Sequence, residues 1–347
     1  MIDCLEPVMS AGVQVPTMQA WTARGRPIGR GPRHGSNISD IPSATLLRGR
    51  MVERLHAEAR RRGITVHPGK RLVATERTAG GVNARFGDGS QAEGTVLIGA
   101  DGVHSTTRQI IDPAAPTPAY AGVFVLGGTA EGVTPRFAPG TFHAVLTEHG
   151  MFAFVAAGPD RYWWTAQIAR PDRPGRAELE ELSSPRGRAQ LAAMYAGHAA
   201  TLIGATEHFH SPTLMYQLAP VPTWQHDSMI AIGDAAHPVD AGIGGSLAIE
   251  DAVLLAKCLR DIPAAPQALA RFEHLRRPRI DPLVRFGTRH KKSKAPGPIA
   301  RRLTQATLPV LMPLFMKLAG TKRAARLYAY DIDWDAPIHE PNGMSDS

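Results

Sequence analysis

Cysteine is nearly absent: Cys4 and Cys258 are the only two in 347 residues. That excludes a disulfide framework and the paired spacing of a structural zinc site, and it fits a reducing, cytoplasmic setting. Long hydrophobic runs are missing as well. No charged-then-apolar leader opens the chain. The most apolar late stretch, residues 308–318, is too short to cross a bilayer and contains Pro309 and Pro313. Membrane contact is therefore not expected. No GxGxxG loop follows a strand pattern in residues 1–29, so the most familiar opening of a dinucleotide-binding domain is lacking. No nucleic-acid motif is present, and no metal site is expected.

What is present can fold. Hydrophobic residues make up 43% and charged residues 20%, which allows a sizeable core. The length suits one large or two modest domains. Lys and Arg (39) outnumber Asp and Glu (31), for a formal charge of +8. That balance favours anionic ligands such as phosphate-bearing cofactors.

The most informative stretch is 229–259, MIAIGDAAHPVDAGIGGSLAIEDAVLLAKCL. A short apolar run, 229–232, reads as a buried strand and ends at Gly233-Asp234. A loop follows with Gly242, Gly244 and Gly245, then a helical rhythm from Leu247 to Leu259. Strand, glycine loop and helix N-terminus in that order turn backbone N–H groups toward a ligand. A carboxylate at the strand end can accept hydrogen bonds from ligand hydroxyls. Upstream, residues 99–108 read GADGVHSTTR. Asp101 stands at another strand end, Gly102 permits a sharp turn, and Ser105 is placed to cap the helix that contains Arg108.

Those two stretches, with IEDAVLLA after the second, resemble the FAD-dependent aromatic hydroxylases, the single-component flavoprotein monooxygenases. The resemblance covers most of the chain except the family's opening strand–GxGxxG–helix unit, so a chain that starts after that unit is the expectation. It implies an α/β fold: an FAD-binding Rossmann-like domain, incomplete at its N-terminus, with an inserted, mostly antiparallel sheet domain and a C-terminal helical segment. The expected division is 1–113 with 224–280 for FAD, 114–223 for the substrate sheet, and 281–347 for the helical end.

The resemblance also implies site residues. Asp234 matches the aspartate that holds the ribityl chain, and Gly233, Gly242, Gly244, Gly245 and Ser246 match the loop against the flavin ring. That loop departs from the family: it is about two residues short, and Ser246 stands where an asparagine is usual. Asp101 and Gly102 match positions near the pyrophosphate and the nicotinamide route. Arg48 and Arg108 are further expected contacts, and no general acid or base is assigned. His237 is expected to be structural. Phe142, Phe152, Phe154, Trp163 and Trp164 are candidates to line a substrate pocket. The implied activity is FAD-dependent monooxygenation of an aromatic or polyketide-like molecule, with NADH or NADPH as reductant. The alternatives are a non-hydroxylating flavin oxidoreductase and a non-catalytic homologue that lost its nucleotide-binding unit.

Local patterns complete the reading. Residues 43–63 suit an amphipathic helix capped by Ser43 or Thr45 and ended by Gly63. Strands are expected at 64–66, 71–76, 82–86 and 95–98, with a hairpin turn at Asp88-Gly89, and four more between 122 and 169. Residues 176–203 read as helix broken at Pro185 and Gly187. A basic run over 285–302 and an apolar helix over 303–318 close the chain.

Overall fold

Alternation builds the main sheet. Along Arg161–Ala169, Tyr162, Trp164, Ala166 and Ile168 are buried, while Trp163, Thr165 and Gln167 are half-buried. That is the period of two expected of a strand with one covered face. The computed structural model describes residues 4–33, 43–133, 137–147, 149–239, 243–289 and 330–338. These fall into two compact units. One holds the described residues of Met1–Val66 and Gly122–Met215, with Tyr330; the other holds those of His67–Ala121, Tyr216–Lys292 and Asp331–Ser347.

The first unit is organised by a seven-stranded sheet. Its order is Thr206–Gln217, Ala119–Glu131, Arg161–Ala169, Gly150–Ala156, Thr141–Thr147, Thr17–Thr22 and Pro27–Pro32. Neighbours are antiparallel through the centre, but Thr17–Thr22 pairs parallel with Thr141–Thr147. The N-terminal strands therefore extend the sheet, whereas the sequence placed them with the FAD-binding stretch. One face is covered by three short helices, Arg176–Leu182, Pro185–Ala193 and Gly197–Gly204. Leu191, Leu202 and Ile203 from these helices pack on Phe152, Phe154, Tyr162 and Trp164 of the sheet. The break at Pro185 is as expected, with Ser184 capping the new helix, but Gly187 lies inside that helix and the second break falls at residues 194–196.

Two local expectations need correcting. The helix starts at Arg48, not near Ser43, and Leu47 at its N-cap makes no side-chain cap. Ala44–Thr45 is instead drawn into a strand pair with Val13–Gln14. Residues 64–66 form no strand; Ile64 is 57% exposed and no partner strand is paired there. Gly63 does end the helix, at φ 76°.

In the second unit, Leu72–Thr78, Gly81–Phe86 and Gln91–Gly94 form an antiparallel sheet that turns at Asp88-Gly89. The strand Leu97–Gly99 pairs parallel with Met229–Ala231, which pairs in turn with Gln225–His226. The helices Gly244–Asp261 and Ala265–Arg289 pack on each other beside this sheet. Residues 333–338 lie against the first of them: Arg260 donates to the Trp334 carbonyl (2.7 Å) and stacks on its ring, and Ile338 N–H donates to Asp261. The expected apolar helix at 303–318 and residues 290–302 of the basic run lie outside the described residues. Among the described residues, no helix is long and apolar enough to cross a membrane.

A buried imidazole sits in the first unit's core. Trp21 Nε1 donates to His143 Nδ1 (3.0 Å), and the His143 ring stacks on Phe154. Burial, then the His198 and Arg30 charges, pulls the His143 pKa from 6.5 to about 4. Between those values the unfolded chain carries the proton and the folded chain does not, so stability falls as pH drops through that window. The loss is on the order of 3 kcal/mol. Thermal unfolding followed from neutral pH downward is expected to show a steeper acid limb for the wild type than for His143→Phe; equal slopes would exclude this role.

Candidate functional site

Two strand ends make the site. In the parallel pair, Met229 lies opposite Leu97, Ile230 opposite Ile98 and Ala231 opposite Gly99. The ladder continues one step further, where Ile232 N–H donates to the Gly99 carbonyl (3.0 Å). Asp101 and Asp234 follow these strands, so both carboxylates leave the same, C-terminal edge of the sheet. That edge is where open parallel sheets bind their ligands.

Local chemistry fixes each turn. Gly102 has φ 79° and Gly233 φ 58°, values that cost a side-chain-bearing residue strain. A Cβ on Gly233 would also stand 3.2 Å from the Ala248 Cβ. Asp101 Oδ2 accepts from the Thr107 N–H (3.0 Å) and hydroxyl (3.1 Å), and Ser105 Oγ accepts from the Arg108 N–H (2.8 Å). Ser105 thus caps the helix Thr106–Ile111 as its spacing predicts.

Arg108 differs from expectation. Only 1% of it is exposed. Its guanidinium donates to the carbonyls of Val103 (2.9 Å) and Ala235 (2.8 Å). Burial lowers its pKa, and the Asp101 charge opposes that pull. Arg108 is turned inward and links the two turns. Arg48 opens its helix in the other unit with its side chain in solvent.

The helix Gly244–Asp261 begins beside Asp234. Its first intrahelical bond runs from Leu247 N–H to the Ile243 carbonyl, so the amides of Gly244, Gly245 and Ser246 have no acceptor within the helix. A Cβ on Gly244 would stand 3.5 Å from Asp234 Oδ1 and from the Val239 carbonyl, whereas nothing lies within 4 Å of one on Gly245 or Gly102. Gly242 lies outside the described residues.

Beneath the Gly233 turn is a buried polar cluster that sequence reasoning missed. Asp251 is 0% exposed. Its Oδ2 accepts from Gly233 N–H (2.8 Å) and His237 Nε2 (2.7 Å), and its Oδ1 from Arg276 Nε (2.5 Å). Arg276 also donates to Glu250 (2.7 Å) and to the Leu247 carbonyl (3.0 Å). Trp224 packs on the His237 ring and under the Arg277 guanidinium. Burial would raise the Asp251 pKa, but the His237 hydrogen bond and charge, the Arg276 charge and the Gly233 N–H together hold it below its ordinary value. Burial would lower Arg276, but the Asp251 and Glu250 partners hold it above. His237 is structural here, as its sequence suggested. A signal for the pair was available. Asp251 lies four residues after Leu247 and four before Leu255, and Arg276 lies between Phe272 and Ile280, so each charge interrupts an apolar helical stripe.

The sequence model of the FAD binding domain family matches residues 30–287. The chain belongs to that family. Among relatives, it is 27% identical over 288 residues to the aurachin C monooxygenase/isomerase of Stigmatella aurantiaca, covering 80% of this chain and 71% of that one. A 3-amino-4-hydroxybenzoate 2-monooxygenase of Streptomyces platensis is 31% identical over 65% of this chain. An FAD-dependent urate hydroxylase of Klebsiella pneumoniae is 30% identical over 63%. The chain spans only 56% and 57% of the last two. The Klebsiella pneumoniae HpxO structure complexed with FAD and uric acid has the same fold, with a TM-score of 0.77 and 22% identity over 94% of this chain and 85% of that one.

FAD is the family's cofactor, and the second unit's residues fit it. The exposed Asp234 offers acceptors to a hydroxyl-rich chain, and the first-turn amides of Gly244–Ser246, which the helix does not use, offer donors to ring carbonyls. The side-chain-free positions at Gly102, Gly244 and Gly245 leave room beside them.

The buried pair gives a stability prediction. Arg276→Met strands the Asp251 carboxylate and is expected to cost about 3–5 kcal/mol in denaturant unfolding. Arg176→Met removes a solvent-exposed pair with Glu180 and is expected to leave the unfolding midpoint almost unchanged. Equal costs would exclude a special role for the cluster.

Proposed function

We propose that this protein is an FAD-dependent monooxygenase that uses NADH or NADPH and O2 to oxygenate an aromatic or polyketide-like small molecule. One observation carries the reading: Asp101 and Asp234 leave neighbouring parallel strands at the same sheet edge. Family membership and the relatives' names, which include aminohydroxybenzoate, urate and salicylate hydroxylases, support the substrate class. The redox chemistry, hydride acceptance from the nicotinamide and activation of O2, is what FAD supplies when bound.

The chain's own residues bind and orient. Asp234 accepts hydrogen bonds from the ribityl hydroxyls. The amides of Gly244, Gly245 and Ser246 donate to the ring's carbonyl edge. Asp101 and Gly102 border the pyrophosphate and nicotinamide side. Arg108 acts at one remove, by fixing the Ala235 carbonyl. On the sheet of the first unit, Phe152, Phe154 and Trp164 are spent in the helix-covered core. Phe142 and Trp163 lie on the opposite face, in one cross-strand row with Val155 and Thr129 and with the Arg33 guanidinium over the Phe142 ring, and are the two of the five aromatic candidates outside that core. Two unpaired thiols, Cys4 and Cys258, suit the cytoplasm.

The purified chain is expected to turn yellow with FAD and to consume NADH or NADPH faster when an aromatic substrate is added. Asp234→Ala is expected to weaken FAD binding roughly tenfold or more, the worth of one or two hydrogen bonds to a charged acceptor. A colourless chain that takes up no added FAD would sink the reading.

A further inference from the structure

We infer that Asp251 is a positioning residue for the cofactor carboxylate: it staples the Gly233–His237 turn from below and so sets where Asp234 points. The consequence for FAD rests on the function proposed above; the staple does not. One oxygen, Oδ2, takes donors from both ends of the turn, the Gly233 N–H at 2.8 Å and His237 Nε2 at 2.7 Å. Asp234 lies between these two residues and is exposed. The second oxygen is held by Arg276, so the carboxylate cannot rotate without breaking an ion pair. Asp251 also belongs to the helix whose start is Gly244. One buried group therefore ties the strand-end carboxylate to the glycine-loop amides, the two parts that must face a common ligand.

The chemistry needs an aspartate. Three donors converge on two oxygens, and an asparagine would turn N–H toward at least one of them. Asp251 is fully buried, so it acts only through the turn.

Two measurements on Asp251→Asn test this. In FAD-free protein, the Gly233 amide is expected to exchange with solvent about tenfold faster or more, the usual worth of a lost hydrogen bond to a charged group. The Ile232 amide, which donates to the Gly99 carbonyl at 3.0 Å, is expected to change little. In a double-mutant cycle, Asp251→Asn alone is expected to raise the FAD dissociation constant about tenfold, yet by under about twofold on an Asp234→Asn background, because coupled residues do not add. His237→Phe removes one donor, keeps the Arg276 pair, and carries the same test with a smaller effect should Asp251→Asn fail to fold. Equal acceleration at Gly233 and Ile232, or an additive cycle, would overturn the inference. A wild type that takes up no FAD would overturn the cofactor reading instead, and the exchange result alone then decides the staple.

Discussion

The second unit depends on an aspartate and an arginine that meet where neither meets water. Each lies in the apolar stripe of its own helix. Bringing one charge into such a place alone is prohibitive; bringing both, joined by hydrogen bonds to each other and to their neighbours, is tolerable. Their union aligns the helices Gly244–Asp261 and Ala265–Arg289, and the acid's free oxygen then reaches the turn that ends the strand Met229–Ala231. Packing, electrostatics and the geometry of the ligand-facing loop are therefore one problem here.

In the first unit, parity does the sorting. A strand sends successive side chains to opposite faces, so Trp163 and Trp164, adjacent in sequence, have different fates. Trp164 joins the helix-covered core and donates its indole N–H to the Thr206 hydroxyl (2.9 Å). Trp163 stays half-buried, in line with Val155 and Phe142. Aromatic content alone says nothing about which residues meet a ligand; the covering helices decide it.

What was legible in the sequence was local. The strand-end aspartates, the glycine at a positive-φ turn, the Ser105 cap, the Asp88-Gly89 hairpin and the central strands all follow from short-range rules. What was not legible depends on distant partners. Ala44–Thr45 leaves the expected helix because Val13–Gln14 offers it a strand, and Thr17–Thr22 joins the large sheet because Thr141–Thr147 offers it an edge. Arg108 reads as a ligand contact until the Ala235 carbonyl, far along the chain, claims its guanidinium. The Asp251–Arg276 pair lies between these cases. Its two charges were visible as interruptions of apolar stripes, but only the packed helices reveal that the interruptions coincide.

Arg108 has one more implication. Its side chain grips a carbonyl in each of the two strand-end turns, so neither turn can drift without dragging on the other. Sequence change in the two loops should therefore be epistatic. A replacement in the Gly102–Val103 turn will be tolerated or rejected according to what the Asp234–Ala235 turn already contains, and laboratory evolution of one loop alone will stall sooner than evolution of both together.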